Sequence, residues 1–252
     1  MAELEGKRAL VTGGAQGLGK AIAALFVERG AKVMISDIDE AGAKLTADEL
    51  GESCRAVRCD VTSASDHAAA VQATVDAFGG LDIMVNNAGI EIVKPLFDHT
   101  EEEFDRTLDI DLKGVWLGMR AALAALPQPG GVIVNMSSLA GLAGVPLFGV
   151  YAAAKAGVVQ LTRVAATELK PTGIRVNAVC PTFVGTAMVE RLAPIVTELV
   201  GVPFDDLVAI KQGRLGTPEE VAEMVAFLAS DESSWCTGGA YVLDSGLQAG
   251  LL

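Results

Sequence analysis

Apolar and polar positions along this chain fall into short blocks that switch repeatedly between two periods. RALVTGG is an apolar run closing in glycines, and LGKAIAALFVERGA then sets Leu18, Ile22, Leu25 and Phe26 at helical spacing. The pattern predicts strand, glycine turn, helix. KVMISDID reads as a second buried strand, EAGAKLTADEL as a helix and CRAVRCDV as a third strand. The alternation continues through HAAAVQATVDAFG (helix), LDIMVNNAG (strand), a helix from Phe104 to Leu126, GVIVNMSS (strand) and YAAAKAGVVQLTRVAATELK (helix). IRVNAVCP is then a strand, TPEEVAEMVAFLAS a helix with Thr217 at its cap and Pro218 just inside, and AYVLDSG a last strand.

Strands alternating with crossover-length helices imply parallel pairing, because a parallel neighbour is reached only through a long, right-handed connection. The expected class is α/β: a doubly wound parallel sheet of seven strands with helices on both faces, as a single domain over residues 1–252. No Pro- or Ser-rich linker marks a boundary, and there are no internal repeats. One segment breaks the rhythm. Residues 186–216 are apolar, hold Pro194 and Pro203 and follow a strand's carboxyl end, which suggests a lid over a ligand crevice. The plainer alternative is a packing excursion.

Composition narrows the function classes. The formal charge of −13, from 32 acidic and 19 basic residues, argues against nucleic acid and anionic membrane as partners. No apolar run reaches the ~18 residues of a membrane span, and MAELEGKRAL is charged where a signal peptide is apolar, so a cytoplasmic location is expected. The four cysteines show no CxxC pairing and the two histidines no ligand spacing, so no metal is expected.

Candidate chemistry begins at TGGAQGLG, where Gly13, Gly17 and Gly19 lie between the first strand and first helix. Side chains there would keep an anion away from the helix N-terminus, whose free N–H groups and dipole favour negative charge. Asp37 ends the second strand 18 residues after Gly19, where a carboxylate can bond an adenosine ribose diol. It would also repel a 2′-phosphate, and no Arg or Lys lies beside it, so NAD is favoured over NADP. The competing reading is that Asp37 only caps the next helix.

The glycine spacing, with the rest of the chain, resembles the short-chain dehydrogenase/reductase family in its single-domain form, from about Lys7 to Gly246. The resemblance implies a dinucleotide-binding Rossmann fold with Gln16 and Leu18 near the pyrophosphate. Asp60 and Val61 would flank adenine. NNAG, Asn86 to Gly89, is similar to the family's fourth-strand motif; it places Asn87, Ala88 and Gly89 at the cofactor and leaves Asn86 to tie strands together. In PTFVGT, Val184 and Thr186 match the residues that contact the carboxamide, while Thr182 replaces the usual glycine.

The chemistry implied by the resemblance sits in Ser138, Tyr151 and Lys155. Positions i and i+4 share a helix face, so the Lys155 ammonium can lie beside the Tyr151 phenol and lower its pKa from ~10. Tyr151 then serves as base for alcohol oxidation or acid for carbonyl reduction. Ser138 would hold the substrate oxygen, and Lys155 the nicotinamide ribose. The family's fourth catalytic position is an Asn in N-x-x-G, whereas this chain has Asp111 in DLKG. An ionised Asp offers acceptors only, and a buried one must pair with a cation or raise its pKa. Lys155 is the natural partner; Asp109 and Lys113 read as surface.

The expected activity is NAD-dependent hydride transfer between nicotinamide and an apolar secondary alcohol or ketone, alicyclic or steroid-like. The expected crevice is apolar, with Ile92, Val93, Leu139, Val145, Leu147, Phe148, Phe183, Met188, Leu192 and Phe204 and without Arg or Lys. Two alternatives stay open. One is a catalytically weak NAD-binding sensor or scaffold, suggested by Asp111 and Thr182. The other is a 3-oxoacyl-carrier-protein reductase-like enzyme, against which Asp37 and Gln16 argue. The resemblance further implies a homotetramer, with GVVQLTRVAATEL and the C-terminal GLQAGLL as apolar contact segments.

Overall fold

A computed structural model describes residues 3–249. Its centre is one parallel sheet of seven strands in the order β3-β2-β1-β4-β5-β6-β7. The strands are β1 Arg8–Thr12, β2 Lys32–Asp37, β3 Cys54–Arg58, β4 Ile83–Asn86, β5 Val132–Met136, β6 Arg175–Pro181 and β7 Ala240–Leu243. Alternate residues of each strand feed opposite faces. Ala9 and Val11 of β1 join a core with Ile22, Ala23 and Phe26 of α1 (Gly17–Glu28), Ala43 and Ala47 of α2 (Glu40–Leu50), and Val221 and Val225 of α9 (Pro218–Ala229). Leu10 faces the other way, onto Ala70 of α3 (Ala64–Phe78), Val115 and Met119 of α5 (Gly114–Ala122) and Val158 of α6 (Gly149–Leu169). Both faces are therefore dry, as an all-parallel sheet requires.

The strand order reverses between β1 and β4, and a crevice opens at their carboxyl ends, the expected ligand position in such sheets. Two departures from the sequence pattern shape that crevice. The helix expected from Phe104 to Leu126 begins earlier, at α4 (Glu101–Leu108), passes through a π turn at Asp109–Lys113, and ends with α5. Residues 186–216, the segment that broke the rhythm, hold α7 (Ala187–Val200) and α8 (Phe204–Gln212). The excursion leaves and rejoins the sheet at one point, where Val184 and Gly216 bridge in parallel. Beneath it, Phe148, Val189, Leu192, Val196, Phe204 and Val208 form a separate buried cluster, against which Phe183 and Tyr151 pack.

Candidate active site

The glycine loop explains its own residue types. Gly13 (φ +67) lies so close to the β4 end that a Cβ would come 2.8 Å from the Ala88 Cα. Gly17 (φ +57) meets nothing closer than 3.8 Å, so that side of the loop is open. A methyl on Gly19 would fall 2.1 Å from the Gly13 carbonyl oxygen; Gly19 packs the helix onto the loop and does not line the crevice. α1 is one of the helices that carry no side-chain cap, as are α5, α6 and α8. Gln16 makes no capping bond and the first turn holds no acid, whereas α2, α3, α4, α7 and α9 each have a side-chain cap. Its free N–H groups face a crevice of about 370 Å³.

Around that crevice stand Gly13, Gln16, Gly17 and Leu18, with Asp37, Asp60 and Val61 at the ends of β2 and β3. Asp37 is not a helix cap: its Oδ2 accepts from the Ala15 N–H (3.0 Å) and its Oδ1 from the Asp39 N–H (3.0 Å), while Asp39 caps α2. Asp60 turns its Oδ1 to the Thr62 N–H and hydroxyl. Ile38, 63% exposed, lies along the crevice beside Asp37. Asn87, Ala88 and Gly89 line the next stretch, and Asn87 Nδ2 donates to the carbonyls of Thr12 (2.9 Å) and Gly13 (3.2 Å), bracing the loop. Asn86 reaches Asn135 across β4 and β5 at 2.8 Å.

At the far end the crevice meets Ser138, Tyr151, Lys155, Asp111, Val184 and Thr186. The π turn points Asp111 inward, fully buried, while Asp109 and Lys113 stay outside and pair with each other at 3.0 Å. Asp111 Oδ1 accepts from the Ile90 N–H at 2.8 Å, and its Oδ2 lies 3.1 Å from Lys155 Nζ. That ammonium stands 5.5 Å from the Tyr151 ring centroid and donates to the Met136 carbonyl at 3.3 Å. Gly89 roofs the pair: a Cβ there would come within 3.2 Å of Asp111 and 3.3 Å of Lys155. Ser138 Oγ accepts from the Ala140 N–H, and Ser137 donates to the Lys155 carbonyl at 2.8 Å as a strand-end brace.

Electrostatics at this end depart from the simple expectation. Burial drives the Tyr151 phenol upward; Lys155 pulls it down, Asp111 pushes it up again, and Ser138 eases it, with the net result above the ordinary tyrosine value. The expected lowering by Lys155 is present but outweighed. Burial also raises Asp111, against the pull of Lys155. For Lys155, burial works against the charge, yet Asp111 and Tyr151 outweigh it, and the ammonium is held above the usual lysine range.

The lining corrects the expectation of a crevice without cations. Arg191 on α7 and Arg106 on α4 both reach its edge, and both are largely exposed. Phe148, Leu192 and Phe204 belong to the buried cluster under α7 and α8, with Phe183 and Phe204 rings at 5.1 Å; Met188 does line the crevice. Sequence reasoning also missed Ile90, Ile110 and Met136. Their side-chain types carry no signal, because only the chain path turns them inward. Thr182 does not need glycine's freedom: outside glycine, only Leu147 and Ser245 among the described residues take positive φ.

A family profile described as "Enoyl-(Acyl carrier protein) reductase" matches residues 13–248. The chain is 43% identical over 249 residues to a Mycobacterium tuberculosis protein named 3-alpha-(or 20-beta)-hydroxysteroid dehydrogenase, covering 98% of this chain and 92% of that one. It is 41% identical to oxidoreductase UcpA of Salmonella typhimurium, over 98% of this chain and 96% of the other. A crystal structure of a short-chain type dehydrogenase/reductase from Mycobacterium marinum superposes with a TM-score of 0.90 at 35% identity, covering 98% of both chains. Alike in sequence and in fold over nearly its whole length, the chain belongs to the short-chain dehydrogenase/reductase family of oxidoreductases.

Proposed function

We propose that this oxidoreductase uses NAD and interconverts a secondary alcohol and a ketone in a mainly apolar crevice, with Tyr151 as the acid or base. The observation that carries the reading is the meeting of Ser138, Tyr151 and Lys155 at one end of the crevice whose other end holds Asp37 and the uncapped N-terminus of α1. The site fits a dinucleotide. The open side of Gly17 and the free N–H groups of α1 suit a pyrophosphate. Asp37 takes both its present hydrogen bonds from backbone, not from a cation that would hold a 2′-phosphate, and Ile38 offers an apolar face beside it. When bound, NAD(H) supplies or accepts the hydride at the substrate carbon.

The chain's own residues handle the oxygen. Ser138 donates to the substrate oxygen and Tyr151 gives or takes its proton. Lys155 steadies the phenolate, and the aromatic cluster under α7 keeps water from the apolar side. An alicyclic or steroid-like substrate is favoured by the apolar lining and by the name of the mycobacterial relative. The same family membership suggests a homotetramer.

A spectrophotometric screen of secondary alcohols and ketones, including hydroxysteroids, with NAD(H) and NADP(H) in parallel, tests the reading. Turnover with NAD(H), reduced at least a hundredfold in Tyr151→Phe with cofactor affinity kept, is expected. Preference for NADPH would favour a carrier-protein reductase. Tight NADH binding without turnover on any substrate would favour a sensor.

A further inference from the structure

Three features of the site go beyond what hydride transfer needs. Asp111 is fully buried with its carboxylate 3.1 Å from the Lys155 ammonium, and Gly89 closes over the pair. Lys155 is thus not a lone cation beside the tyrosine; it is half of an ion pair. A second carboxylate, Glu91, lies two residues beyond Gly89 in the segment after β4; it feels the charge of Asp111, and its own charge is felt by Tyr151. Asp111 Oδ2 has no aligned hydrogen-bond donor, so it acts on Lys155 chiefly through charge.

We propose that Asp111 is a positioning residue that cancels the charge of Lys155 beside Tyr151, keeps the phenol protonated through neutral pH, and so makes the protein a ketone reductase whose alcohol oxidation opens only in alkali. The inference rests on the hydride-transfer reading above and assigns its direction. Reduction consumes the Tyr151 proton: the phenol O–H bond breaks, a new O–H bond forms on the substrate oxygen, the carbonyl carbon is reduced at the expense of NADH, and the phenolate remains beside Lys155. A solvent proton then restores the phenol. Oxidation needs the phenolate at the outset, and a neutralised Lys155 supports it less than a free one.

The charges facing the tyrosine from the neighbouring elements are of both signs. From its own helix comes Lys155; from the π turn, Asp111; from the segment after β4, Glu91; from the segment after β5, the Ser138 hydroxyl. Cys180 of β6 faces Lys155, and Arg191 of α7 faces Glu91. Of these, only Lys155 and the Ser138 hydroxyl favour phenolate directly; Asp111 and Glu91 oppose it.

The chain has only two tyrosines, so ionisation of Tyr151 can be read directly from tyrosinate absorbance during an alkaline titration of the full-length protein. Tyr241 ionises at about 12, held up first by burial and then by Cys236, and a Tyr151→Phe control identifies the other transition. Asp111→Asn, nearly the same size, is expected to move the Tyr151 transition to lower pH while leaving that of Tyr241 in place. Glu91→Gln should move it the same way by less, and it decides the matter if Asp111→Asn does not fold. In the pH–rate profile, Asp111→Asn should start oxidising alcohol at lower pH, with the rate at pH 7 rising several-fold, and should lose ketone reduction on the alkaline side. A Tyr151 transition that stays put in both variants, or rises in Asp111→Asn, overturns the assignment. A transition that shifts as expected in a protein that turns over no alcohol or ketone upholds the charge assignment and overturns the activity on which the direction rests.

Discussion

Glu91 follows the Asn86–Gly89 run after a single isoleucine, and nothing in its neighbours' types sets it apart from the other acids of the chain. The fold half-buries it beside Asp111, and burial, offset by Arg191 and reinforced by Asp111, lifts its carboxyl to about 7. A carboxyl with a folded-state pKa above its unfolded value makes the folded protein bind more protons than the unfolded one between about 4.5 and 7, so stability falls as pH rises through that window. The cost is fully present above pH 7 and amounts to at most about 3 kcal/mol. Glu91→Gln should therefore raise the melting temperature at pH 8, at about 2–4 °C per kcal/mol for a chain of this size, and change it little at pH 4.5. Equal shifts at both pH values would mean that the carboxyl does not titrate in this window. The contrast with Gly13, Gly17, Tyr151 and Lys155 shows what a sequence makes legible. Those residues are dictated by local geometry, an absent side chain or an i, i+4 neighbour, whereas Glu91 and Arg191 depend on where a loop and a lid helix carry them. Asp111 lies between: its type and its partner could be read, but its full burial comes from the π turn.

At the scale of elements, the strands and their parallel pairing follow from the alternation of periods, and what the sequence leaves open falls where a helix changes its turn or where an apolar segment shows no clear period. A π turn is defined by i→i+5 backbone bonds that no residue type in DIDLK announces, so Asp109–Lys113 reads from sequence as ordinary helix. Residues 186–216 carry two prolines, yet Pro194 sits within α7 and Pro203 just before α8. What anchors this excursion is Gln212, the last residue of α8 and 4% exposed. Its Nε2 donates to the carbonyls of Phe183 (2.8 Å) and Arg214 (2.6 Å), and its Oε1 accepts from the Thr182 hydroxyl at 3.1 Å. Thr182, in place of the family's glycine, thus ties the crevice loop to the end of the lid. Gln212→Ala leaves the Arg214 carbonyl and the Thr182 hydroxyl without their partner, while the Phe183 carbonyl keeps the Gly216 N–H, and should cost about 1–3 kcal/mol in urea denaturation. It should also lower NADH affinity and raise KM for the ketone several-fold, since Val184 and Thr186, matched to the carboxamide contacts, stand on the loop that Gln212 holds. Unchanged KM with lowered stability would reduce Gln212 to a structural role.

For the whole molecule, the surface poses a conflict between charge and apolar area. The chain carries −13, so copies repel one another over a range set by ionic strength. Against this, α4, α5 and α6 present Phe104, Trp116 and Val164 to solvent, each more than two-fifths exposed, and α6 carries the GVVQLTRVAATEL segment that the family resemblance names for assembly. The C-terminal segment 246–252, also expected at a contact, lies partly outside the described residues. A stable contact needs roughly 800 Å² per partner, which scattered single residues do not supply but neighbouring helices do. Light scattering on the eluting protein is expected to give the mass of four 26.0 kDa chains at physiological salt. Because the charge opposes assembly, dilution at about 10 mM salt should shift the balance toward smaller species, where the screening length is about 30 Å. Trp116→Glu, which puts a further charge on α5 without touching the crevice, should dissociate the assembly while keeping NADH affinity. A parent protein that elutes as one chain at every salt concentration would show that these helices serve no such contact, and a tetramer unmoved by Trp116→Glu would place the contact elsewhere on the surface.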